Sequence, residues 1–242
     1  MEYAHCLDYA QSVLSEKPIK DVTYRNYLSV CKSLKLDHIP YPPSAQQLTS
    51  LLSTVTNPNS KRAKAIVLKS IFGIKIKVKA SQSLHIDLPP FEELHELVSN
   101  CRWNMYGLLM LHAGFRLGET LVKQPIKGNY VNVTIQKDAF NCITNSKSQG
   151  LVLIPPFLLE QYVSWTPTHH YHSIQLGFQR LFKKAGMEQM TPHKLRHAYA
   201  TYYADKMSPE ALRRQLRHSD IATTMKYYVQ VNEKDLLRVM YN

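Results

Sequence analysis

A polar, proline-ended stretch, ASQSLHIDLPP (Ala80–Pro90), interrupts an otherwise well-patterned chain and limits what it can fold into. Before it the apolar period is helical; after it helix and strand periods alternate. A chain of 242 residues holds one large domain or two ordinary ones. A linker at residues 81–90 selects two, spanning 1–80 and 91–242.

In the first part, Tyr24, Tyr27, Leu28 and Cys31 recur at i, i+3, i+4 and i+7, which lays one apolar face along a helix from Asp21. IPYPP (Ile39–Pro43) breaks the chain, and Ser44 can then cap a helix carrying Leu48, Leu51, Leu52 and Val55. NPNS (Asn57–Ser60) breaks it again before a helix bearing Ala65, Ile66, Leu68, Lys69 and Phe72. The second part opens with a helix over PPFEELHELV and an apolar one over MYGLLMLHAG, ended by Gly114. Three β signals follow: NYVNVTI (Asn129–Ile135), AFNCIT (Ala139–Thr144) and LVLIP (Leu151–Pro155), with NSKSQG as a polar turn. The expected fold is mainly α, with a small antiparallel β-sheet inserted in the C-terminal domain.

Charge narrows the partner. Thirty Lys+Arg against 18 Asp+Glu give a formal net charge of +12. Such a surplus repels itself and suits an acidic partner, nucleic acid ahead of an anionic membrane. No acidic residue occurs between His38 and His85, yet Lys61, Arg62, Lys64, Lys69, Lys75, Lys77 and Lys79 all fall there. One reading is a solvated basic face. The sharper reading is a helix laid on phosphates, where counterion release rewards a single sign of charge.

Other classes recede. No apolar run approaches the ~18 residues of a membrane span, and Glu2 and Asp8 spoil a signal peptide. The four cysteines (Cys6, Cys31, Cys101, Cys142) contain no CxxC pair and read as reduced thiols in or near the core of a cytoplasmic protein. There is no P-loop and no GxGxxG, which disfavours nucleotide-driven chemistry. THHYH (Thr168–His172) gathers histidines without a nearby cysteine or carboxylate, so a loop is expected there and no metal.

The last third holds three local signals. TPHKLRH places Thr191 as N-cap and Pro192 at the first helical position, with His193, Arg196 and His197 on one face. MSPEALRRQLRHSD repeats the device with Ser208 and Pro209 and runs to near His218. Asp220 can then cap a short helix bearing Tyr227 and Tyr228.

GFRLGET (Gly114–Thr120), HKLRHAYAT (His193–Thr201) and LRHSDIATTMKYY (Leu216–Tyr228), in that order, resemble the tyrosine recombinases, site-specific recombinases of the phage-integrase type. The resemblance implies a two-domain clamp on double-stranded DNA, with 91–242 as the catalytic domain and its tail. Residues 1–80 match the family's core-binding domain in size, helicity and charge, and a chain opening on that module suggests no additional arm-site domain.

The resemblance also implies site residues. Tyr227, nine after His218, becomes the nucleophile; Arg116 and Arg196 clamp the phosphate and His218 adds a hydrogen bond to it; His193 is general acid/base toward the tyrosyl hydroxyl; Lys147, on a hairpin turn, protonates the leaving oxygen, with Lys137 the other candidate. It implies no metal or other cofactor, a homotetramer on synapsed DNA that is monomeric when free, a tail beyond Tyr227 packed on a neighbouring subunit, and a place at the nucleoid. Two departures stand out: Phe115 replaces a smaller aliphatic residue, and Arg217 replaces the glycine usual before the final His. A type IB topoisomerase shares the chemistry, and an inactive DNA-binding protein shares the charge.

The residue types fit the reaction. A tyrosyl ester conserves the phosphodiester's energy for religation. Two guanidiniums clamp the nonbridging oxygens in fork geometry without losing charge. A histidine titrates near working pH, and a lysine beside other cations can give up its proton.

Overall fold

The computed structural model describes residues 3–19, 21–78 and 88–228. Lys79, most of the linker expected at 81–90 and the tail beyond Tyr228 lie outside them. Among the described residues no helix is long and apolar enough to cross a membrane. The chain folds as two compact units, Met1–Ile86 and Asp87–Asn242.

The first unit is helical: α1 (Cys6–Glu16), α2 (Asp21–Ser33), a 3-10 turn (Leu36–His38), α3 (Ala45–Ser53) and α4 (Pro58–Phe72). Ser44 starts α3 with a capping box. Its hydroxyl accepts from the Gln47 amide at 3.1 Å, while its own amide donates to the Gln47 side chain at 2.8 Å. Asn57 caps α4 by accepting from the Asn59 and Ser60 amides at 3.0 and 3.1 Å. The expected break at NPNS is therefore a cap followed by the first helical turn. Leu48, Leu52, Leu68 and Ile71 close on Cys6, Leu14 and Cys31 to form the core.

The basic run is not one helix. α4 stops at Gly73, and residues 74–78 continue without helix or strand pairing. Ile74, Ile76 and Val78 pack on the core while Lys75 and Lys77 are exposed between them. The physical reason is alternation: apolar residues at every second position satisfy an extended segment, not a helix.

The second unit contains α5 (Phe91–Ser99), α6 (Asn104–Ala113), α7 (Leu117–Thr120), β1 (Ile126–Lys127), β2 (Tyr130–Lys137), β3 (Ile143–Leu153), α8 (Pro156–Ser164), α9 (Tyr171–Lys184), α10 (Pro192–Ala204) and α11 (Pro209–Leu216), then helical residues 221–228. α6 is buried along nearly all its length, from Met105 to Leu111 and at Ala113. It carries no wet face because other helices cover it, with Leu195 and Ala198 of α10 among its partners in the core.

The three strands form an antiparallel sheet in the order β1-β2-β3. Its details differ from the expected hairpins. AFNCIT is mostly turn: the Asp138 carboxylate accepts from the Phe140 and Cys142 amides at 2.8 and 3.0 Å, and local satisfaction of those donors competes with strand pairing. Cys142 is consequently exposed, not near the core. NSKSQG is not a turn but the middle of β3. Val133 pairs with Gly150 and Ile135 with Asn145, so Thr134 alone faces residues 146–149. That surplus makes a bulge, a device that re-aims side chains, and Lys147 sits within it. THHYH also differs from a loop, since Tyr171 begins α9 with His170 at its N-cap.

Candidate active site

Helix ends build the site. α6 terminates at Gly114 in the left-handed region (φ 67°), where an added Cβ would also stand 3.0 Å from Leu216 and 3.1 Å from Tyr199. The turn hands the chain to Phe115, fully buried, and Arg116. Arg196 projects from α10 into the same place, 3% exposed, and its two terminal nitrogens donate to the carbonyls of Gly114 and Leu216. One guanidinium thus closes the ends of α6 and α11. Burial first, then the Arg116 and Arg217 charges, push its pKa down to about 9, which leaves it charged at neutral pH.

Arg116 stands at the N-cap of α7. Its amide donates to Glu119 at 2.8 Å, one terminal nitrogen pairs with the same carboxylate at 3.0 Å, and the other donates to the Ser148 hydroxyl at 3.1 Å. Gly118 lets α7 approach β2 this closely, since a Cβ there would meet the Lys137 carbonyl at 2.4 Å. Glu119 is fully buried and also accepts from Ser146 at 2.9 Å and from Arg217 at 2.5 Å. Burial alone would raise its pKa, but Arg217, the Arg116 amide and the two site arginines outweigh that and hold it below the usual carboxylate range.

The histidines and the tyrosine meet across α10 and residues 218–228. Thr191 occupies the N-cap as expected, though its side chain makes no capping bond. His193 and His197 stand edge to face with ring centroids 5.0 Å apart, and His197 Nδ1 lies 2.9 Å from the Tyr227 hydroxyl. Tyr227 therefore contacts His197, one turn beyond the His193 that the motif resemblance selects. His218 lies nearly parallel to Tyr227 at 6.5 Å, and its Nδ1 is 2.9 Å from the buried Thr224 hydroxyl. In the tautomer whose Nδ1 accepts from Thr224, Nε2 carries the proton and can donate it into the site. Tyr228 is aimed elsewhere, donating to the Met207 carbonyl at 2.6 Å.

Lys147 is exposed and lines a groove of about 520 Å³ with Ser148, Gly150, Arg213, Arg217 and His218. Lys137 ends β2, half-buried beside Gly118. His169 hydrogen-bonds the Tyr106 hydroxyl at 3.1 Å and takes no part in the cluster described. The basic residues Lys61 to Lys77 belong to the first unit.

Burial is the leading cause that lowers the pKa of His197 and His218 to about 4, with neighbouring cations adding to it. His112, half-buried with its Nε2 2.8 Å from His95 Nδ1, is lowered to about 4 for the same first reason. His193 keeps an open edge, yet crowding, then Arg196 and Arg116, lower it too. Above the ordinary value of 6.5 folded and unfolded chains both carry these rings neutral, so they contribute no pH dependence. Below it the unfolded chain gains protons that the folded chain refuses until about 4. Stability is therefore expected to fall as pH drops through that window. Thermal melts of wild type and His112→Leu across the window test this: the variant should lose less on acidification, and parallel curves would exclude His112 as a contributor.

A model of the phage integrase family matches residues 166–235, the stretch that carries His193, Arg196, His218 and Tyr227. The likeness to that family thus lies in the C-terminal part of the chain. The chain is 36% identical over 98 residues to the tyrosine recombinase XerD of Staphylococcus saprophyticus, a match covering 37% of this chain and 32% of XerD. It is 36% identical over 62 residues to the transposase of transposon Tn916 from Enterococcus faecalis, covering 24% of this chain and 15% of the transposase. The matches thus span under a third of each curated relative's length.

Among solved structures, a Tn1549 transposon integrase in complex with circular intermediate DNA superposes with TM-score 0.70 at 15% identity, over 92% of this chain and 94% of that one. A lambda integrase dimer bound to a core site gives 0.71 at 15%, over 91% and 93%. At that identity the likeness speaks for the fold, a tyrosine recombinase catalytic fold with its small antiparallel sheet.

Sequence reasoning misses four members of this cluster: His197, Ser146, Ser148 and Thr224. His197 has a signal, lying four residues after His193 on the same helix face. The serines and Thr224 have none, because a bulge and a turn bring them in. Glu119 and Arg217 are visible as letters, but their pairing across 98 positions is not.

Proposed function

We propose that this protein is a tyrosine recombinase that cleaves and rejoins double-stranded DNA through a covalent 3′-phosphotyrosyl intermediate. The observation that carries the reading is the contrast between the two adjacent tyrosines. Tyr227 is held by His197 beside His193 and Arg196, whereas the Tyr228 hydroxyl is tied to a main-chain carbonyl.

In the cleavage step the Tyr227 oxygen attacks the scissile phosphorus. The P–O3′-side phosphate becomes an ester of tyrosine, the P–O5′ bond breaks, and the 5′ oxygen leaves with a proton. Arg116 and Arg196 stabilise the added charge on the nonbridging oxygens, and His218 donates its Nε2–H there. The phosphate's own negative charge offsets the two arginines that depress His193, raising that ring toward the range where it can take up the tyrosyl proton. His197 holds Tyr227 in place. Lys147, open to the groove beside His218, protonates the leaving 5′ oxygen. Reversal with a 5′-hydroxyl from another duplex exchanges strands, and the step needs neither ATP nor metal.

Residues 1–80 serve in this reading as a core-binding module, with 81–90 as linker and 91–242 as catalytic domain, the two gripping DNA as a clamp. Four copies act on synapsed sites at the nucleoid, while the free protein is monomeric. The test is a suicide duplex, nicked so that the cleaved fragment diffuses away, built on a sequence recovered by covalent capture from a randomised duplex pool. A protein–DNA adduct stable to denaturation, transferred to a second duplex on adding its 5′-hydroxyl end, is expected. Adduct that rejoins only its own strand would indicate a topoisomerase, and no adduct on any sequence would leave a DNA-binding protein.

If the basic run lies on phosphates, replacing Lys69, Lys75 and Lys77 by Gln should flatten the slope of log affinity against log salt by about 2–3 units. The change should appear on unrelated duplexes as well, because phosphate contacts carry no sequence. An unchanged slope would return the run to a solvated face.

A further inference from the structure

Arg217 occupies a backbone conformation that favours glycine, with φ 55° at the end of α11. A side chain persists there only where its surroundings hold it, and here both ends of its guanidinium are engaged. Its Nη2 donates to Glu119 at 2.5 Å and its Nε to the Ser148 carbonyl at 3.1 Å. The Ser148 hydroxyl accepts from Arg116, and Arg116 returns to Glu119, closing a ring of four residues. Ser146 joins the ring by donating to Glu119. The two residues flanking Lys147 are thereby anchored while Lys147 itself stays exposed. The Arg217 stem lies 3.5 Å from where a Cβ at Gly150 would stand, so it also backs the far side of the bulge. His218 follows Arg217 directly in the chain, so the same residue sits between a phosphate ligand and the lysine's support.

We propose that Arg217 is a positioning residue that fixes the β3 bulge so that Lys147 meets the departing 5′ oxygen. Arg217 itself is 6% exposed, and its guanidinium is committed to Glu119 and the Ser148 carbonyl. The inference rests on the strand-transfer reading and on Lys147 as its acid. When P–O5′ breaks, the electron pair goes to oxygen, which needs a proton from Lys147. When the bridging atom is sulfur, the thiolate leaves without one. Loss of lysine positioning must therefore hurt the oxygen substrate and spare the sulfur substrate, whereas damage to the arginine clamp or to the fold must hurt both.

The experiment compares single-turnover adduct formation by full-length protein on matched suicide duplexes with bridging 5′ oxygen or 5′ sulfur. Arg217→Gly suits the backbone, and Arg217→Lys keeps a charge beside Glu119 but lacks the fork needed to hold Ser148 as well. A general acid supplies ~10²–10⁴-fold, so both variants should lose roughly 10-fold or more on oxygen and less than ~3-fold on sulfur. Lys147→Ala should show the same pattern more strongly, and Arg217→Lys combined with it should add little. Equal losses of Arg217→Lys on both substrates, or none on either, would overturn the assignment of Arg217 alone. A Lys147→Ala variant that sulfur does not rescue would overturn Lys147 as the acid and the inference with it. Wild-type protein that forms no adduct on either duplex would instead overturn the strand-transfer reading.

Discussion

Tyr227→Phe is expected to abolish covalent attachment to DNA while noncovalent binding persists. The substitution removes one oxygen, the only atom that can carry the phosphoryl group, and leaves the ring in place. The hydroxyl meets His197 at 2.9 Å while the ring packs against the cluster of Tyr199, Leu212 and Leu216, so the apolar contacts survive the change. Burial raises the phenol's pKa, with Arg196 pulling it back, so the hydroxyl is neutral before attack and must lose its proton during the reaction. Tyr228→Phe, by contrast, loses a hydrogen bond to the Met207 carbonyl and should keep its cleavage rate within several-fold. Gel separation of adducts under denaturing conditions reads the first effect, and fluorescence anisotropy of a labelled duplex reads binding. Adduct formed by Tyr227→Phe but not by Tyr228→Phe would move the nucleophile by one position.

The neighbourhood of Tyr227 shows what a sequence can and cannot reveal here. Caps, breaks and apolar periods are local, so Ser44, Asn57, Pro192 and Gly114 mark their helix ends directly. The order of the three motifs carries the arginines, His218 and Tyr227. What stays hidden depends on register. A strand with a surplus of residues opposite Thr134 looks, letter by letter, like a polar turn, and NSKSQG has that look. AFNCIT has a strand's composition, but Asp138 turns it back on itself. The lysine's support follows from that bulge, and so cannot be read before it. His197 is legible on the correct helix face, yet only the approach of residues 221–228 decides which histidine of that face meets the phenol.

Arg196→Ala and Arg116→Ala should each lower single-turnover cleavage by at least ~100-fold, the scale of one lost transition-state donor and about 2.7 kcal/mol. The two variants should differ in stability. Arg116 is partly open, and its removal leaves Glu119 paired with Arg217 and Ser146. Arg196 is buried and satisfies the carbonyls of Gly114 and Leu216, so its loss leaves two helix ends unpartnered at a cost of about 1–3 kcal/mol each. Arg196→Ala should accordingly melt lower than Arg116→Ala, and cleavage must be compared well below both midpoints and at saturating DNA. Arg196→Lys separates charge from shape. An ammonium preserves the positive charge, but a single nitrogen cannot reach both carbonyls and also present a fork to a phosphate. Its rate should remain far below wild type even where its melting point recovers. Near-normal cleavage in both alanine variants would remove the arginine clamp from the mechanism. Near-normal cleavage in Arg196→Lys alone would show that charge at this position suffices without the fork.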